Sequence, residues 1–230
     1  MKKDSTASSK WTYKEFTLLL LLTLVFVPFF VEYLLHSFLL HIFKDRLYSG
    51  TATGFLMAIV FTLGVYFIAL KPHHLKWFEI GLCRFTKSYW KSIIYWVFIL
   101  IVTNCMILML MYLFHIGVEN TKTESLQRNI TWFTFSIAFI SAAIISPIYE
   151  EIFYRGFLYK WMKLRWGVRS GILFSSLIFT IVHIPTYNTL PVNFISGLVF
   201  AWTYEKSGSI IPAMIIHSVL NGIAVILTVL

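Results

Sequence analysis

The chain has 230 residues, of which 58% are hydrophobic, 18% aromatic and 13% charged, with a formal net charge of +9. That is far more apolar than a soluble domain, and several segments reach the roughly 20 apolar residues that span a bilayer. The surplus of Lys and Arg is therefore an orientation signal in the connections between spans, not a nucleic-acid footprint.

Residues 1–16 are polar, with Lys2, Lys3, Lys10 and Lys14, and read as a cytoplasmic tail. The first apolar run, 17–43, offers no small-residue cleavage site, so it is expected to remain as an uncleaved span. Glu32 and His36 share one face of it, with His41 beyond, and that face should turn to the bundle interior or the outer interface. A second span is expected over 51–70. Residues 71–91 interleave Lys71, Lys76, Arg84, Lys87 and Lys91 with Trp77, Phe78, Phe85 and Trp90. This mixture predicts an interfacial helix on the cytoplasmic surface. A third span follows over 92–114, then a polar, near-neutral outer loop over 115–130. The two cysteines, Cys83 and Cys105, fit neither a disulfide framework nor a metal spacing.

From Thr131 the chain is apolar to Ser146, meets Pro147 and continues through IYEEIFYRGFLY (148–159) to Leu164. Pro147 should kink the helix just before Glu150. Lys160, Lys163, Arg165 and Arg169 surround Gly167 in a basic turn. A fifth span over 171–184 ends at Pro185, a sixth covers 190–204, and a seventh covers 209–230. The fold class is thus all-α, a polytopic bundle of about seven spans, with six to eight as the range. Its domains read as a tail (1–16), N-terminal spans with the basic segment at 71–91 (17–130), and a core carrying the chemistry (131–230). Of the 19 Lys and Arg, 14 fall on one side if the N-terminus is inside, leaving Lys44, Arg46, Lys122 and Arg128 outside and Arg155 within a span. There is no internal repeat of the transporter kind, which counts against an ion or proton transporter using the same polar groups.

Glu150, Glu151 and Arg155 carry the strongest signal. A charged side chain at mid-membrane costs roughly 2.5–3.5 kcal/mol on insertion scales, so three within two turns require compensation. Glu150 lies 17 residues before Gly167 and His183 lies 16 after it. In a hairpin turning at Gly167 both sit at one depth, about 25 Å of helix from the turn. His217 and Asn221 are one turn apart on a single face of the last span, so Glu150, His183, His217 and Asn221 can converge from three helices. A carboxylate and an imidazole so placed activate water, and a second imidazole and an amide stabilise an oxyanion. Alternatively, Glu150, His183 and His217 would suit zinc. Both arrangements describe hydrolysis of a peptide bond within the membrane. Glu151 is spaced to pair with Arg155 at i, i+4. A membrane aspartyl dyad is unavailable, because the only aspartates are Asp4 and Asp45, and there is no G-x-S-G or H-E-x-x-H motif.

Glu150-Glu151-x-x-x-Arg155, Phe179-x-x-x-His183 and His217-x-x-x-Asn221, in that order, resemble the CPBP family. It comprises the type II CAAX prenyl endopeptidases and the bacteriocin-processing or bacteriocin-immunity membrane proteins, also called Abi proteins. The resemblance covers about residues 131–230. It implies an intramembrane endopeptidase in a bacterial cytoplasmic membrane, acting on a membrane-associated, lipidated or leader-bearing peptide. Glu150 would be the water-activating base and His183 its partner or a metal ligand, with His217 and Asn221 as metal ligands or oxyanion donors. The competing expectation is a non-catalytic immunity or membrane interaction protein. Oligomeric state has no signature in the sequence.

Overall fold

Thr12 opens the first helix with a reciprocal cap. Its hydroxyl accepts the Lys14 backbone N–H at 3.1 Å, while the Glu15 carboxylate accepts the Thr12 backbone N–H at 2.7 Å. The computed structural model describes residues 10–117, 121–127 and 130–230, and among them every regular element is helical. Most of the tail expected over 1–16 and parts of the outer loop lie outside the described residues. Among the described residues, five helices are long and apolar enough to cross a membrane: Tyr13–Phe43 (α1), Arg46–His73 (α2), Lys87–Leu113 (α3), Trp132–Ile181 and Ile211–Val229. A short helix, α4 (Thr121–Gln127), follows α3. The Trp132–Ile181 stretch is two legs, α5 (132–166) and α6 (168–181), because Gly167 leaves the helical region at φ 83° and ψ 168°. Only glycine adopts that backbone without strain. Helix α7 (Leu190–Ser207) returns, and α8 (Ile211–Val229) closes the chain. The result is a polytopic helical bundle.

The hairpin register is visible in its side chains. Tyr154 on α5 and Phe179 on α6 pack edge to face with ring centroids 5.2 Å apart. Glu150 precedes Tyr154 by four residues on α5, and His183 follows Phe179 by four, just past the end of α6.

One end of the bundle is stitched by polar contacts between distant segments. The Trp11 indole N–H donates to the Ala69 carbonyl at 2.7 Å, and the Trp161 indole N–H donates to the Thr12 carbonyl at 2.9 Å. Arg165 bonds the Trp11 carbonyl and lies over the Trp161 ring at 4.2 Å. The Lys163 ammonium pairs with Glu205 at 2.7 Å, and the Ile210 N–H donates to the Gly81 carbonyl at 2.9 Å. The start of α1, the segment after α2, the Gly167 turn and the α7–α8 turn therefore share one end, the grouping that the charge distribution predicts.

The segment over 71–91 differs from expectation. It forms three short 3₁₀ turns, Lys71–His73, Trp77–Ile80 and Lys87–Tyr89, instead of an interfacial helix. Pro72 sits at the start of the first turn, and His74 and Gly81 carry positive φ values of 55° and 85°. Left-handed residues end helices, so an aromatic-basic pattern does not propagate here. The last of these turns runs on into α3. The expected outer loop also contains α4, whose Gln127 amide donates to the Thr228 carbonyl at 3.1 Å.

Candidate active site

Pro147 sets the local geometry of α5. Over Ile140–Ile145 the helix is widened to i→i+5 bonding, and the Ser146 N–H reaches the Ser141 carbonyl. In that register the Ala142 carbonyl would take the N–H of residue 147, and proline has none. Asn221 on α8 supplies the missing donor: its Nδ2 donates to the Ala142 carbonyl at 2.9 Å. The same bond fixes the rotation of α8 against α5. Asn221→Leu is therefore expected to destabilise the protein by about 1–3 kcal/mol, because the carbonyl loses its donor. A lowered thermal midpoint in detergent checks this.

Just beyond the proline, a charged cluster is sealed inside the bundle. Glu151 and Arg155 are fully buried, and Arg155 Nη1 donates to Glu151 Oε1 at 3.0 Å, the i, i+4 pair that the spacing predicts. Arg155 Nη2 donates to the Gly197 carbonyl at 3.3 Å, and its guanidinium lies over the rings of Phe179 at 4.3 Å and Phe200 at 5.1 Å. Those faces compensate part of the desolvation of the cation. Gly197 permits the approach. A Cβ there would lie 3.1 Å from Ser176 on α6, so the small pair lets α6 and α7 pack closely.

His217 joins the cluster from α8. Its Nδ1 lies 3.0 Å from Glu151 Oε1, which also accepts from Arg155, and its ring stacks on Phe200 at 4.7 Å. A carboxylate on Nδ1 fixes the tautomer and ring plane, leaving Nε2 directed elsewhere. Nε2 lies 3.8 Å from Glu150 Oε2. That distance is too long for a direct hydrogen bond. Glu150 Oε1 is held by the Ser146 hydroxyl, one turn back on α5. Glu150 Oε2, Glu151 Oε2 and Arg155 Nε are buried without hydrogen-bond partners. Buried polar atoms are normally satisfied, so three in one cluster make it the candidate functional site.

The remaining predicted residues fall around this centre. Nδ1 of His183 donates to the Phe179 carbonyl at 2.7 Å, and its ring packs against Phe179, which in turn meets the His217 ring edge-on at 5.9 Å. Phe179 is thus a shared wall between the two imidazoles. A cavity of about 100 Å³ adjoins His217 and Asn221 and is also lined by Asn104, Asn193, Ser196 and Phe200. Sequence reasoning did not single out Ser146, Gly197, Phe200 or Asn104. Ser146 stands four residues before Glu150, a spacing that signals contact on a helix. Asn104 is an amide within an apolar span, which is itself a signal. Gly197 and Phe200 look like ordinary bundle residues, and nothing in the sequence marks them.

A zinc site needs three or more protein donors gathered at about 2 Å from one point. Among the described residues, no three His, Cys, Asp or Glu side chains group in that way. His217 Nδ1 is engaged by Glu151 and His183 Nδ1 by the Phe179 carbonyl. The donor set named from sequence, Glu150, His183 and His217, does not form a ready metal cage in this arrangement.

The architecture is that of a multi-pass membrane protein, with a buried polar cluster between its C-terminal helices. Residues 132–223, which contain every site residue except Asn104 and Ala224 of the cavity, match the family model described as type II CAAX prenyl endopeptidase Rce1-like. Across this C-terminal part the chain is similar to the CAAX-type intramembrane proteases, the family that the motifs resemble. The UPF0177 protein YbdI of Lactococcus lactis subsp. lactis is 26% identical over 110 residues, 45% of this chain and 55% of that protein. The match thus spans about half the length of the curated relative. No solved structure matches the chain.

Proposed function

We propose that the protein is an intramembrane endopeptidase that hydrolyses a peptide bond of a lipidated or otherwise membrane-associated peptide, with Glu150 as general base. The observation that carries this reading is the partnerless, buried Glu150 Oε2, 3.8 Å from Nε2 of a histidine whose other nitrogen is held by Glu151. Water bonded to both atoms gives a proton to Glu150 as its oxygen adds to the substrate carbonyl carbon. The proton then passes from Glu150 to the amide nitrogen as the C–N bond breaks, so protons and electrons balance. Asn221 has one amide N–H committed to Ala142 and a second to offer the oxyanion. His183, packed against Phe179 at the end of α6, is the second imidazole of the site. Glu151 and Arg155 act through His217, as positioning groups.

The test uses purified protein in detergent and a farnesylated peptide ending in a Cys-a-a-X sequence, with cleavage and bound metal measured together. Cleavage by the wild type, lost in Glu150→Gln, without stoichiometric metal, is the expected result. About one zinc per chain, lost in both Glu150→Ala and His183→Ala, would replace the proposed glutamate–water step with metal-assisted hydrolysis. No cleavage of this peptide or of a leader-peptide substrate would favour the immunity or membrane-interaction role.

A further inference from the structure

The cavity beside His217 mixes polar and apolar walls, and three of its polar residues, Asn104, Asn193 and Ser196, have no part in the proposed step. Asn104 enters it from α3, Asn193 and Ser196 from α7, and His217 and Asn221 from α8. An apolar cavity stays dry, whereas amides and a hydroxyl in the wall of this one offer partners to a hydrogen-bonding group. At about 100 Å³ it has room for a group on the scale of one peptide unit.

Asn104 defines what that occupant must offer. Its Oδ1 is buried and has no hydrogen-bond partner. An amide that served only to join helices would have its acceptor filled by a neighbouring helix. An unfilled carbonyl oxygen in a span calls for an N–H or O–H donor arriving from outside the bundle, since leaving it unmatched is costly. Asn221 and His217 line the same cavity, with Asn221 the proposed oxyanion donor. In a trans peptide unit the C=O and N–H point in opposite directions. A scissile unit whose carbonyl faces Asn221 therefore directs its N–H away from Asn221, where another acceptor of the lining must take it.

We infer that Asn104 Oδ1 accepts the N–H of the scissile peptide unit, making α3 a substrate-recognition wall of the site. This rests on the proposed endopeptidase reading and adds a residue from outside the region that matches the protease family. The bond orients the amide so that its carbonyl carbon faces the water between Glu150 and His217. It also selects amides over esters, because an ester has no hydrogen to give.

The experiment compares two farnesylated reporter peptides, identical except that an ester oxygen replaces the scissile N–H in one. Wild type, Asn104→Leu and Asn104→Ser are assayed on both, with thermal midpoints measured alongside. Asn104→Leu should lower kcat/KM on the amide by about fivefold to tenfold and leave the ester within about twofold. Asn104→Ser, which keeps a short hydroxyl and little bulk, should show the same selectivity if Leu perturbs packing. Equal losses on amide and ester would overturn the inference by making Asn104 a packing residue, and no loss on either would place it outside substrate contact. Glu150-dependent cleavage by the wild type keeps the endopeptidase reading intact in both cases. A wild type that cleaves neither peptide, or cleaves them regardless of Glu150, would overturn both.

Discussion

Glu150→Gln is expected to lower kcat on a farnesylated reporter by about 10²–10⁴-fold, with KM nearly unchanged. Glutamine keeps the size and shape of the side chain, and its carbonyl oxygen still accepts from the Ser146 hydroxyl. What is lost is the basic Oε2 facing His217. The stability readout separates this from a structural role. Glu150, Glu151 and Arg155 bring two negative charges and one positive into a buried cluster, so removing the Glu150 charge relieves repulsion. The thermal midpoint of Glu150→Gln should therefore match or exceed that of the wild type while turnover collapses. A variant that retains turnover within a few-fold would remove Glu150 from the chemistry. A variant that loses both activity and midpoint would make the residue a structural member of the cluster.

The parts of this site that depend on distance along one helix are readable from the sequence. Glu151 and Arg155 are four residues apart, and helix geometry alone brings them to the observed 3.0 Å. Gly167 and its flanking basic residues mark a turn, and counting outward from it gives the level that the Tyr154–Phe179 contact records. The rotation of one helix about its axis relative to another is not contained in such counts. They give His217 a depth but not its contact with Glu151, and they leave open that Asn221 bonds a backbone carbonyl on α5. That bond follows from the missing N–H of Pro147 combined with widened helical bonding upstream, and the second condition has no clear sequence mark.

Composition misleads in the basic segment after α2 for a related reason. Aromatic and basic residues over 71–91 suit a membrane surface, but Pro72 and the left-handed His74 and Gly81 decide the backbone locally. Trp11 is the opposite case. It stands among polar residues and reads as part of a tail, yet it is buried at 1% exposure with its indole bonded to Ala69. Its partners lie 58 residues away on α2 and about 150 residues away on α5, beyond any local pattern.

Arg155→Leu should be the most destabilising single change in the bundle, by about 3–5 kcal/mol. Leucine fills part of the volume and suits the neighbouring Phe179 and Phe200 rings, so the loss does not come chiefly from a cavity. It comes from Glu151, fully buried, which would keep only His217 as a partner, beside a second carboxylate at Glu150. Arg155→Lys should fall between, since an ammonium keeps the charge but cannot bond Glu151 and the Gly197 carbonyl in one planar fork while stacking on two rings. The double change Glu151→Leu with Arg155→Leu is the decisive comparison. Removing both partners removes the uncompensated charge, so the pair should be less destabilised than Arg155→Leu alone. It should nevertheless be impaired in turnover, because His217 would lose the carboxylate that fixes its tautomer. Thermal midpoints and reporter cleavage for all four proteins give both answers. If Arg155→Leu unfolds at the wild-type midpoint, the buried charge is not held by this pair. If the double variant is as active as the wild type, Glu151 does not position His217.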